Sequence, residues 1–75
     1  SEGDASLLAK LKSCRAALAR AVGKPAYIVF SDATLIDMAA KRPMTRDDML
    51  GVSGVGEVKY DRFGPDFLDV IRGAN

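Results

Sequence analysis

The chain has 75 residues, 48% of them apolar, with one cysteine, no histidine and a formal net charge of +1. That length sets one small domain whose folding buries roughly 60–65% of its unfolded surface. Its apolar content excludes disorder, and its short apolar runs, such as residues 26–30, exclude a transmembrane helix. The lone Cys14 excludes an internal disulfide, and without histidine a metal site would rest on carboxylates, for which no clustered loop exists.

Charge is unevenly spread. Residues 10–24 carry Lys10, Lys12, Arg15, Arg20 and Lys24 with no acid, whereas residues 31–75 carry six basic and eight acidic residues, net −2. A polarised molecule follows, positive at one end and mildly acidic elsewhere.

Residues 1–3 read as an expression scar or linker end, and residues 4–75 as one helical domain. The first helix is predicted over residues 4–22, where Leu7, Leu11, Cys14, Leu18 and Ala21/Val22 recur at spacings of three and four. Asp4 or Ser6 caps its start, Gly23 suits a left-handed C-terminal position, and Pro25 prevents continuation. Cys14 lies on the apolar stripe and reads as buried filler, against the alternative of a thiol activated by Lys12 or Arg15. Residues 26–30 have strand-like content, but no second strand exists to pair with them, so a short helical or 3₁₀ turn is predicted instead. Ser31-Asp32 caps the next helix, with Leu35, Ile36, Met38 and Ala39 on its core face and Pro43 beyond its end. Thr45 opens a short helix over residues 45–50 that Gly51 ends. A Gly54-Val55-Gly56 turn leads into the last helical region, where Gly64-Pro65 marks a kink or break. The fold class is all-α, a compact orthogonal bundle of about five short helices.

Two glycine-rich patterns resemble nucleotide loops, and both fail on chemistry. Residues 51–56 have P-loop glycine spacing, but Glu57 stands where a phosphate-binding lysine is required. The third glycine and preceding strand of a dinucleotide fold are also missing. A turn of this kind at a helix start does aim backbone N–H groups at an anion. With Lys59 one turn on, Gly54 and Gly56 are candidates for a nucleic-acid phosphate grip; the alternative is that they only permit a tight turn. Tyr27, just after Lys24 where the basic stretch ends, is a candidate base-stacking residue, or else a core tyrosine with its hydroxyl at the surface. Lys12 and Arg20 fall on the outer face of the first helix, while Lys10 and Arg15 flank opposite sides of its stripe. For any one of them a plain solvated position is the alternative. Asp47-Asp48 and Asp66/Asp69 read as caps and surface charge, so no catalytic residue is assigned.

Residues 25–39, from Pro25 through the Phe30-Ser31-Asp32-Ala33-Thr34-Leu35 run, resemble the centre of an HRDC (helicase and RNase D C-terminal) domain. Pro43-Met44-Thr45, Asp48-Met49-Leu50, residues 52–59, Arg62-Phe63-Gly64 and Phe67-Leu68 extend the likeness. The Gly-Val-Gly turn and Lys59 place it nearer the bacterial RecQ helicases than RNase D. The resemblance implies a five-helix auxiliary domain of an ATP-dependent DNA helicase, not an enzyme by itself, needing no cofactor or metal. It implies weak, sequence-tolerant binding of single-stranded or partial-duplex DNA by Tyr27 and Lys24. Lys12, Arg15 and Arg20 carry over less directly. It also implies action in DNA repair and recombination at the nucleoid of the bacterial cytoplasm; the short apolar runs predict no membrane contact, and the lack of an obvious apolar surface stripe predicts a monomer. The rival reading is a protein-interaction module docking on the helicase core, a sister HRDC copy or another repair protein.

Overall fold

A computed structural model describes residues 1–74. Its elements are α1 (Glu2–Val22), α2 (Ala26–Val29), α3 (Asp32–Lys41), α4 (Arg46–Leu50) and α5 (Glu57–Gly73), with no strand among the described residues. The all-α, five-helix expectation is therefore met.

Local chemistry sets most of the boundaries. α1 begins earlier than expected: Ser1, not Asp4 or Ser6, is its N-cap, and Ser1 Oγ accepts from Asp4 N at 3.2 Å. Glu2 and Asp4 thus fall in the first turn, where carboxylates suit the positive helix end. Gly23 closes α1 in the left-handed region (φ 67, ψ 36), as predicted. Despite the β-branched and aromatic content of residues 26–30, Ala26–Val29 form the single helical turn of α2, with Phe30 as its extended C-cap. Tertiary burial explains the override, since Val29 and Phe30 are completely enclosed. Ser31 caps α3 by accepting from Thr34 N at 3.2 Å, and Thr45 caps α4 by accepting from Asp48 N at 3.1 Å.

Two expectations need correction. α5 runs unbroken through Pro65. Pro65 lacks the N–H that would bond the Asp61 carbonyl, but both residues lie on the exposed side, where that carbonyl is open to solvent. On the opposite side Tyr60, Phe63, Phe67, Leu68 and Ile71 are buried, so both halves of the helix are packed on the core. Gly64 is no hinge either: a Cβ there would collide with the Tyr60 ring, so the glycine is a seat for that ring. In α3, Ile36 was expected on the core face, yet it is 54% exposed. Leu35, Met38 and Ala39 fill the buried stripe without it.

α1 packs on α2, α3 and α5, and α4 packs on α5. Phe30 sits at the centre, edge-on to Phe67 (5.0 Å between ring centres) and to Phe63 (6.4 Å). Leu7, Leu11, Leu35, Met38, Met49 and Ile71 complete a continuous core around these rings. The result is a globule of 31 × 23 × 20 Å.

Candidate nucleic-acid interface

The surface of interest grows out of the residue that anchors the core. Phe30 turns its ring inward and leaves α2 as an extended residue (φ −151, ψ 146), so its carbonyl is not taken up by the helix. Arg15 Nη1 donates to that carbonyl at 2.9 Å, while Nη2 meets Asp32 Oδ1 at 2.7 Å. The guanidinium thus ties α1 to the α2–α3 junction, and its side chain is only 12% exposed. Asp32 is far more open, and the hydrogen bond and charge of Arg15, with Lys12 adding to them, hold its carboxyl below the ordinary carboxylate range. Lys59, at the start of α5, approaches the same point with Nζ 5.8 Å from the Phe30 ring centre.

The glycine turn comes to this junction as well. Gly54 has φ +86, and a Cβ on it would collide with Thr34 Oγ1 in the first turn of α3. Both its sign of φ and its close approach demand glycine. The turn is pinned by α3: Asp37 Oδ2 accepts from Ser53 N at 2.8 Å and pairs with Lys41 Nζ at 2.9 Å, and Lys41 Nζ donates to the Gly51 carbonyl at 3.0 Å. Those bonds hold the Asp37 carboxyl below its usual range. Val52 and Val55 anchor the turn from inside. Gly56 is the N-cap of α5 without a side-chain cap bond, so the first N–H groups of α5 have no helical partner. Nothing lies near its Cβ position and its φ is −92, so Gly56 keeps the turn uncovered and is not required by conformation.

Of the residues singled out from sequence, Lys12, Arg15, Gly54 and Lys59 converge on residues 30–34. Tyr27 stands 67% exposed on α2, which leads into that junction, and exposed Lys24 precedes it. Arg20 is exposed on the last turn of α1 without a bond linking it to the junction. Arg15 differs most from the other cations, because its guanidinium is already committed to Phe30 and Asp32. Sequence carried no signal for that bond, which joins positions fifteen residues apart. Cys14 is half-buried, and burial with the nearby Asp66 carboxylate pushes its thiol up to about 11, so it is protonated at neutral pH and a poor nucleophile. Among the described residues no cluster of three or more Cys, Asp or Glu side chains is arranged to hold a metal ion, and no helix is long and apolar enough to cross a membrane.

Comparison with known proteins agrees with the fold. The family model of the HRDC domain matches residues 4–71. The chain is 44% identical over 69 residues to the ATP-dependent DNA helicase RecQ of Pasteurella multocida, covering 92% of this chain and 11% of that protein. It is 39% identical over 66 residues to RecQ of Bacillus subtilis, covering 88% of this chain and 11% of that one. It is also 39% identical over 70 residues to the ATP-dependent DNA helicase UvrD2 of Mycobacterium tuberculosis, covering 93% of this chain and 10% of the relative. The chain therefore spans about a tenth of the length of the relatives it matches. With a family match over nearly its whole length and a five-helix fold to go with it, the chain belongs to the HRDC domain family.

Proposed function

We propose that this domain is an auxiliary nucleic-acid-binding module of a longer ATP-dependent DNA helicase of the RecQ type, and that it binds single-stranded or partial-duplex DNA weakly and with little base preference. The observation that carries the reading is Tyr27, an aromatic ring left 67% exposed on a single helical turn whose other side is locked into the core by Val29 and Phe30. A rigidly mounted exposed ring beside cations is what stacking on successive bases requires. Lys24, Lys12 and Arg20 supply unpaired positive charge along the adjoining length of α1, and Lys59 with the Gly54–Gly56 turn offers a phosphate contact at the start of α5. Arg15 contributes chiefly by bracing the junction. The module does no chemistry itself; unwinding belongs to the helicase it serves, acting at the bacterial nucleoid.

Titrating ¹⁵N-labelled domain with oligo-dT tests the surface. Amide shifts are expected at residues 24–34 and 54–59 and along the α1 face that carries Lys12 and Arg20. Shifts gathered instead on the far side, around α1 and the second half of α5, would overturn the assignment.

A further inference from the structure

The opposite flank of α1 carries a different surface. Between α1 and α5 runs an open groove of about 520 Å³, lined by Lys10, Ser13, Cys14, Ala17, Leu18, Asp66, Asp69 and Val70. Its floor is apolar: Cys14, Leu18 and Val70 are half-buried against the core and turn their remaining surface into the groove, and exposed Ala17 lets a neighbour approach the α1 backbone. Asp66 and Asp69 form the α5 lip. They stand three residues apart on one helix, hence about 5–6 Å apart at their Cβ atoms. Both are exposed, and neither has an ion-pair partner. Asp32, Asp37 and Asp61, by contrast, are each paired with a cation, and the other unpaired acids, Glu2, Asp47, Asp48 and Glu57, do not line this groove. Asp66 also reaches into the groove electrostatically, since its charge helps to raise the Cys14 thiol.

The α5 lip, with two unpaired carboxylates against the single Lys10 on the α1 side, leaves the groove net acidic and disfavours nucleic acid, whose phosphates would meet Asp66 and Asp69. It complements a segment that is apolar on one side and cationic beside it. We propose that the α1–α5 groove is a docking site for a basic amphipathic helix of a protein partner, with one or two aliphatic side chains seated over Ala17, Leu18 and Val70 and Lys or Arg side chains on Asp66 and Asp69. This surface is separate from the one assigned to DNA, so the domain would bridge DNA on one flank of α1 and protein on the other. The proposal does not depend on the DNA reading.

The test uses a fluorescein-labelled amphipathic peptide helix of about 14 residues with a Leu stripe flanked by Lys, and a counterpart with every Lys replaced by Glu. At low salt the Lys peptide is expected to bind, with amide shifts at Lys10, Cys14, Ala17, Leu18, Asp66, Asp69 and Val70, and the Glu peptide is expected not to. Reversing both lip charges, Asp66→Lys with Asp69→Lys, is expected to weaken the Lys peptide roughly ten-fold or more while leaving oligo-dT binding intact or slightly stronger. Both positions are exposed, so the variant folds, which circular dichroism verifies. Ala17→Glu provides a second variant, blocking the trough without touching the lip, and is also expected to reduce binding. No binding of the Lys peptide, equal binding of the Glu peptide, insensitivity to both variants, or self-association of the domain through this groove would each overturn the proposal.

Discussion

At the scale of single residues, Gly54 and Gly56 look alike in sequence and do different things. Gly54 is fixed by its left-handed φ and by contact with Thr34, whereas Gly56 has an ordinary φ and open space around it. Gly54→Ala is therefore expected to destabilise the domain by roughly 2 kcal/mol or more, combining about 1–2 kcal/mol of backbone strain with the collision. Gly56→Ala is expected to lie within about 0.5 kcal/mol of the parent. Urea denaturation distinguishes the two, and equal midpoints would contradict the account. The sequence pattern showed that a tight turn stood here, because Gly-Val-Gly is a local signal. Which glycine the backbone needs was not legible, because that depends on Thr34, twenty residues away. The same limit hid Arg15: its charge and its place beside the apolar stripe could be read, but not its bond to the Phe30 carbonyl.

At the scale of elements, helix ends were legible where a cap acts on its own neighbours, as Gly23, Ser31 and Thr45 do. α5 does not break at Gly64-Pro65, the alternative to a kink expected there, because its continuity is decided by Tyr60, Phe63 and Phe67 packing in the core, which no local rule contains. α3 has a further task, for its Asp37 and Lys41 fasten the turn that precedes α5. The Asp37 carboxyl is held below its ordinary value of 3.8 in the folded state. An unfolded chain therefore binds more protons than the native one in acid. The contribution of Asp37 is fully present above the unfolded value and is lost as pH falls through the folded one. Asp37→Asn keeps the shape and removes the charge. The parent is expected to exceed this variant in urea midpoint at about pH 6, and the gap is expected to narrow at about pH 3. A gap that stays constant between the two would show that charge is not what holds the turn.

At the scale of the whole molecule, α1 divides the surface. One flank and the C-terminal end present Lys12, Arg20 and Lys24, and the other borders the groove that Lys10 lines together with Asp66 and Asp69. A net charge of +1 conceals this division, since the acids that offset the cations lie largely on α3, α4 and α5. The uneven spread of charge along the chain announced the polarity. It did not reveal how the helices would fold it into separate faces, because that depends on which side of α1 meets α3 and which meets α5. Tyr27 is mounted on a one-turn helix whose base, Val29 and Phe30, lies in the core, so little ordering entropy would be lost when the ring meets a ligand.

The central claim is that Tyr27 stacks on bases while the nearby cations hold the strand. It is tested most directly by anisotropy of labelled oligo-dT titrated with the parent domain, Tyr27→Phe and Tyr27→Ala at low and moderate salt. Contact with about three phosphates predicts a roughly twenty-fold loss of affinity over a four-fold rise in salt. Tyr27→Phe should bind nearly as the parent does, and Tyr27→Ala should bind roughly 5- to 160-fold more weakly, the equivalent of about 1–3 kcal/mol for one stacked base. Alanine binding as tightly as tyrosine, or affinity indifferent to salt, would contradict the account.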